Sequence, residues 1–338
     1  MKELIITERE EGQRLDRFLQ KYLKNAQTSF LYKMMRKKNI TLNDKKASGS
    51  EKLKKEDIIK IWFSDETLDK MGGAAEKHAE NEFPYKPLDI IYEDDHIVLI
   101  NKEVGMLSQK AEDKDRSLVE YLIGYLLHSG QISEETLKTF RPSICNRLDR
   151  NTSGIVVCGK TIAGLQEMSD LLRERSMHKY YRCVVAGEVK DTVRADGYLI
   201  KDEKSNKVTI LQEHVQGAQR IITEYTPVSS GYASLGEGKK RIPVTELEVL
   251  LVTGRSHQIR AHLASLGHPL LGDQKYGRRE LNERVRQAFG IKAQMLHAYR
   301  LEMPEIEGQL SYLSHKKFTA SLPETFSRLQ RAVGTENR

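Results

Sequence analysis

Asn146-Arg147-Leu148-Asp149-Arg150-Asn151-Thr152-Ser153-Gly154 sets one acid between basic residues and then turns into an apolar strand, Ile155-Val156-Val157-Cys158. The flanking Arg147 and Arg150 favour the carboxylate form of Asp149, because adjacent positive charge stabilises the charged acid. A carboxylate on a turn beside a buried strand can serve as a nucleophile toward a sugar or a base. The basic surroundings suit a polyanionic substrate better than a neutral one. The bland reading, a charged turn whose Asp merely caps, has to be weighed against the rest of the chain.

The chain has 338 residues, enough for two domains and a large core. Hydrophobic residues at 38% and charged residues at 30% describe a soluble protein. Residues 1–12 are charged and lack an apolar segment, which excludes a signal peptide on this stretch. No apolar run approaches the roughly 18 residues of a membrane span. Cys145, Cys158 and Cys183 show no Cys-x-x-Cys spacing and read as small core residues in a reducing, cytoplasmic compartment.

The net charge of +7 is unevenly distributed. Between Arg14 and Lys60 there are 14 Lys/Arg against 5 Asp/Glu, an excess of +9 that leaves −2 for everything else. Leu15, Phe18, Leu19, Tyr22 and Leu23 fall on one helix face. Thr28 or Ser29 is placed to cap a second helix that ends in Arg36-Lys37-Lys38. A short strand Ile40-Thr41-Leu42, a turn at Asn43-Asp44 and a strand Ile58 to Phe63 complete the unit. The pattern resembles the α-L RNA-binding module, with Asn43-Asp44 where that family usually has Asn-Gly. Residues 1–65 are therefore expected to form an α-L domain, 66–83 a linker and 84–330 a larger catalytic domain.

That larger segment alternates strands and helices without βαβ regularity, which favours an α+β fold over a doubly wound sheet. Gly231 to Lys240 fails as a phosphate loop, since Glu237 stands where Lys is required, and is expected to be a hairpin tip. His257 and His262 are five apart and face different sides of a helix, which argues against a metal site.

The Asn146–Gly154 stretch resembles the catalytic motif of the RluA-type pseudouridine synthases, His-Arg-Leu-Asp followed by Thr-Ser-Gly, with Asn146 in place of the His. Four further segments match that family in order. Tyr92 to Gly105 resembles its strand and Asn-Lys-Pro-x-Gly turn, with Glu103 for the Pro and Gln109 for a following His. Lys179-Tyr180-Tyr181 is similar to its Lys-x-Tyr strand and makes Tyr181 the active-site tyrosine. Thr253 to His262, continuing through Gly267-His268-Pro269-Leu270-Leu271-Gly272-Asp273, reads as a turn and a helix capped by Ser256. Its Arg260 matches the arginine that pairs with the catalytic Asp. Leu296 to Leu301 resembles a late core strand.

The resemblance implies a mixed, largely antiparallel sheet and a reaction that moves the ribose from a uracil nitrogen to a ring carbon. No atoms enter or leave, so neither cofactor nor metal is expected. Asp149 is the expected nucleophile, on either the anomeric carbon or the sixth ring carbon, with Tyr181 and Arg260 as partners. The target base must leave its stack first, and Arg147 is placed to fill the vacated space. Arg14, Arg17, Arg36, Lys37 and Lys38 are the basic module's candidates for RNA phosphates. The expected partner is RNA, as large-subunit rRNA or its assembly intermediates, bound by a monomer without membrane association. Members carrying this module resemble the RluC/RluD-like enzymes of 23S rRNA. The alternatives are an inactive RNA-binding or ribosome-assembly factor on the same fold, and a tRNA-acting synthase. A nucleic-acid glycosylase would need a second acid, which the matched segments do not offer.

Overall fold

Leu15, Phe18 and Leu19 are almost completely buried, and with Leu31, Met35, Ile40, Ile59 and Ile61 they form the core of the amino-terminal region. This is the outcome of a helix face at three- and four-residue spacing meeting an alternating strand. The computed structural model describes residues 1–72, 82–235 and 241–334. Helices Leu15–Tyr22 and Thr28–Arg36 pack on a small antiparallel sheet of order β1-β4-β2-β3, with β1 Lys2–Ile5, β2 Ile40–Leu42, β3 Lys45–Lys46 and β4 Ile58–Ile61. Asn43 and Asp44 both take positive φ (50° and 61°) between β2 and β3, as a tight two-residue connection requires.

Several sequence readings change here. Neither Thr28 nor Ser29 caps the second helix, which starts at Thr28 from Gln27 without a side-chain cap. The edge strand β1 went unread because three of its four residues are exposed and show no alternation. The expected linker at 66–83 opens inside a helix, Asp65–Gly72, whose Leu68 and Met71 pack on the core three residues apart. Residues 73–81 of that linker lie outside the described residues.

The chain divides into two units: Met1–Leu99 with Gln109–Asn146 and Val157–Asp170, and Ile100–Ser108 with Arg147–Val156 and Leu171–Arg338. The first holds the small sheet, β5 Ile90–Glu93, β7 Ser143–Ile144 and helices Leu118–His128, Glu134–Thr139 and most of Ile162–Glu174. Ser117 caps the Leu118 helix in a reciprocal box with Glu120. β6 Ile97–Lys102 and β8 Ser153–Gly159 run from one unit into the other.

The second unit is built on strands ordered β11-β10-β12-β13-β9-β14: β9 His178–Ala186, β10 Val193–Asp202, β11 Lys207–Leu211, β12 Gln219–Ser234, β13 Arg241–Leu251 and β14 Leu296–Glu302. All these neighbours are antiparallel. β15 Lys317–Thr319 and β16 Val333–Gly334 extend β14 and β12. The fold is α+β with a mixed, largely antiparallel sheet. β12 and β13 pair as far as Ser234 opposite Arg241, and residues 236–240 of the expected tip lie outside the described residues.

The start of β8 is the parallel exception, with Ser153 opposite His297 and Ala298 opposite Gly154. Gly154 has φ +110°, and a Cβ there would overlap the backbone of Ala298. Both the left-handed backbone and the close strand approach therefore require glycine. Gly154→Ala should destabilise the protein by about 2–5 kcal/mol, adding the cost of the backbone conformation to that of overpacking. Urea unfolding measures this, and an unshifted midpoint would show that the approach is not tight.

Candidate active site

Asp149 sits on the loop into β8, and its position is fixed by backbone on both sides. Ser108 Oγ donates to the carbonyl of Leu148 at 2.8 Å and accepts from Leu148 N–H at 3.0 Å. The Arg150 carbonyl accepts from Gly105 N–H at 2.9 Å and from Lys102 Nζ at 3.2 Å. Thr152 N–H closes the turn on the Asp149 carbonyl at 3.0 Å. A loop held at both flanks lets a side chain project without wandering. The Asp149 side chain is 29% exposed, open enough to meet a substrate.

Lys102 is the residue that sequence reasoning left without a role. It is 1% exposed and also donates to the carbonyls of Glu103 and Met106 at 3.0 and 2.9 Å. Burial pushes its ammonium down to about 8, with the charges of Asp149 and Glu103 opposing. Its place in an Asn-Lys sequence just before a glycine turn was the available signal. Glu103, in the family's proline position, leaves that turn intact, since Gly105 takes φ +89° and still bonds Arg150. Asn146 also has a structural task, accepting from Val157 N–H at 2.8 Å.

The expected meeting of Asp149 and Arg260 occurs: Nη1 of Arg260 donates to Asp149 Oδ2 at 2.7 Å. Arg260 also makes a two-pronged contact, to a different acid. Arg260 Nε and Nη2 grip both oxygens of Asp273, at 2.7 and 2.9 Å, and Asp149 receives the remaining prong. The guanidinium fork has room for one bidentate partner, and Asp273, 0% exposed, takes it. Burial works against the Asp273 carboxylate, yet the Arg260 guanidinium and the backbone N–H groups of Lys275 and Tyr276 hold its carboxyl below the usual range. Burial likewise works against the Arg260 cation, and the two acids carry it well above its ordinary value. Asp273 lies in the quoted Leu270–Asp273 stretch, but nothing in the spacing says that it faces Arg260.

Helix Gln258–Ser265 presents Arg260. Ser256 does not cap it: the cap position is His257, in the left-handed conformation, without a side-chain cap. Gln258 anchors the turn, accepting from Thr253 Oγ1 at 2.8 Å and Arg255 N–H at 3.1 Å. His257 and His262 point to different partners. His257 Nδ1 meets the Tyr276 hydroxyl at 2.8 Å, with Nε2 3.9 Å from Asp149 Oδ2, and His262 Nδ1 meets Thr223 Oγ1 at 2.9 Å. Burial lowers the His257 pKa, with the Asp149 charge opposing, so the ring is neutral near pH 7. Tyr276 lies under the guanidinium of Arg260, 5.2 Å from ring centroid to Cζ.

Tyr181 is on β9, opposite Val249 on one side and Ala298 on the other, and is 8% exposed. Burial, with the Asp149 charge adding to it, raises the phenol far above neutral pH, so it keeps its proton. A protonated ring is a flat apolar surface and a proton donor. Tyr181→Phe should keep RNA affinity within about twofold while slowing product formation at least about tenfold, if the hydroxyl moves a proton. Single-turnover kinetics would assign Tyr181 to packing alone if the rate were unchanged. Arg147 is exposed on the Asp149 loop, and Arg14, Arg17, Arg36, Lys37 and Lys38 are exposed on the other unit. Arg14 is tied to Asp16 at 2.8 Å.

A buried arginine aiming one prong at a loop carboxylate is the pairing that the motifs implied. Residues 96–265 match the RNA pseudouridylate synthase family. The chain belongs to that family. It is 27% identical over 326 residues to the ribosomal large subunit pseudouridine synthase C of Vibrio cholerae, covering 95% of this chain and 94% of that protein. Identity to the Escherichia coli protein of the same name is 28% over 308 residues, covering 89% and 88%. Those relatives place it with the RluA-type enzymes. The solved structure of human RNA pseudouridylate synthase domain containing 4 superposes with a TM-score of 0.54 at 20% identity, covering 71% of this chain and 92% of that one, and shares the fold. Among the described residues, no helix is long and apolar enough to cross a membrane.

Proposed function

We propose that this pseudouridine synthase isomerises uridines of large-subunit (23S) ribosomal RNA, with Asp149 as the nucleophile. The observation that carries the chemistry is the 2.7 Å bond from Arg260 to an Asp149 that is itself partly exposed. Arg260 orients the attacking oxygen, and the buried Asp273 keeps Arg260 from turning away. Attack makes a covalent bond to the nucleotide and releases the uracil nitrogen. Return of the ring through its fifth carbon displaces Asp149 from the nucleotide, and the proton lost from that carbon is matched by one gained at the freed nitrogen, so atoms balance and the carboxylate is regenerated. Tyr181, protonated, lies against the base and donates where a proton is needed. Arg147 takes the space of the base as it leaves the stack.

Support for the ribosomal substrate comes from relatives that cover nearly the whole chain and carry that substrate in their names. Residues 1–65 act as an α-L RNA-binding domain, with the helix through Gly72 packed on its core, and 84–330 as the catalytic domain. Arg14, Arg17, Arg36, Lys37 and Lys38 add phosphate contacts. Pseudouridine mapping of ribosomal RNA from cells lacking the protein tests the reading. The expected result is loss of a small set of pseudouridines from 23S rRNA. An unchanged map, with losses in tRNA instead, would replace the substrate and keep the chemistry.

A further inference from the structure

The first unit contains a cavity of about 820 Å³ that no step of the isomerisation uses. One wall is helix Leu15–Tyr22 with its flanking residues, and the other is formed by residues 137–141 and helix Ile162–Glu174. The two walls are joined within that unit. Thr139 Oγ1 donates to Glu10 Oε1 at 2.8 Å, Arg9 reaches the carbonyl of Gln131, and Ile162 N–H bonds to the Arg9 carbonyl at 3.1 Å. Seven of the 15 lining residues are Lys or Arg and none is acidic. Arg17, Lys21, Lys24 and Lys52 have no ion pair among the described residues, whereas Lys138 and Arg141 are held by Glu135 and Glu82 at 2.6 and 3.4 Å. Between these cations the lining includes an apolar strip, Leu137, Phe140, Ile162 and Leu165, beside Gln13, Gln20 and Gln166.

We infer that this cavity is a binding groove for a single-stranded segment of the RNA, separate from the reacting nucleotide. The inference rests on RNA being the substrate, and it goes beyond that reading in naming the strand's seat and its second wall. Cations on both walls with an apolar surface between them match a strand whose phosphates lie outward and whose base faces lie inward. A duplex buries its base faces in the stack and has nothing to set against that apolar surface. The carboxylates of Glu135 and Glu82 lie outside the lining, so a phosphate can share Lys138 and Arg141 without meeting an acid in the groove. The sequence places the basic excess in residues 14–60, and the structure adds Lys138 and Arg141 from far along the chain.

The test uses full-length protein with Lys138→Gln and Arg141→Gln combined, and separately Arg17→Gln with Lys24→Gln. All four side chains are on the surface of the walls, and glutamine keeps much of their stems. Binding of a short unstructured RNA oligonucleotide, and of a hairpin of equal length, is followed by fluorescence anisotropy across a salt series. Either double variant should weaken the oligonucleotide complex and reduce the slope of log affinity against log salt by about 1.4, two contacts at ~0.7 each. The hairpin should bind more weakly than the oligonucleotide. An unchanged slope for the Lys138/Arg141 pair would remove the second wall and overturn the proposal, as would a hairpin bound as tightly as the single strand. If wild type makes no pseudouridine, the proposed reaction fails while the groove is still judged by the binding slopes.

Discussion

Asp149→Asn should lower single-turnover isomerisation by about a thousandfold or more, while folding and RNA affinity stay close to wild type. An amide does not form the covalent bond to the nucleotide, and losing a nucleophile outright has an effect of at least this order. The protein should tolerate the change because the volume hardly alters and the side chain is 29% exposed. The amide oxygen still accepts from Arg260, and Arg260 keeps both bonds to Asp273. Partly exposed substitutions of this kind usually stay within about 0.5 kcal/mol. Tritium release from RNA labelled at the fifth ring carbon reads the rate, and anisotropy reads the affinity. A variant retaining a tenth of the wild-type rate would sink the assignment of Asp149 as nucleophile. Equal losses of affinity and rate would instead make Asp149 a binding residue.

The sequence located the Asp149–Arg260 pair more completely than it located the supports around it. Asp149 and Arg260 are 111 positions apart, and their motifs are legible because each occupies a turn or helix start that needs particular residues: Gly154 against Ala298, Thr253 and Gln258 around the Arg260 helix. Asp273 escaped because its importance is a two-pronged bond inside the protein, and no periodicity marks a buried acid as paired. Lys102 escaped for the same reason, its ammonium being spent on three backbone carbonyls. The helices of the amino-terminal region were readable from local spacing, but the caps were not, since Gln27 and His257 use backbone conformation rather than a hydroxyl. The strand order β11-β10-β12-β13-β9-β14 depends on pairings between distant segments, and single-chain patterning carries no information on partners. The groove wall at Lys138 and Arg141 was hidden likewise, because a count of charge along the chain cannot sum residues that meet only after folding.

Arg260→Ala should damage both rate and stability, which separates it from Asp149→Asn. Its removal leaves Asp273 fully buried without a cation, and breaking a buried pair in this way costs about 3–5 kcal/mol. It also frees the Asp149 carboxylate from its 2.7 Å partner, so the rate should fall at least about a hundredfold. If orientation is the reason, Asp149→Asn with Arg260→Ala should be scarcely slower than Asp149→Asn alone; fully additive losses would show that the two act independently. The stability loss has a pH signature. In the wild type the Asp273 carboxyl is held below its unfolded value, so its contribution is present above about pH 4 and is lost as pH falls through the lower native value. Without Arg260, burial dominates and the native pKa of Asp273 rises, so the variant loses stability as pH climbs past the unfolded value. The gap between the two proteins should therefore be widest near neutral pH and narrow toward pH 4. Urea unfolding at both pH values measures it. A gap of equal size at both would mean that the loss comes from packing around the missing side chain and that the Asp273 charge has no part in it.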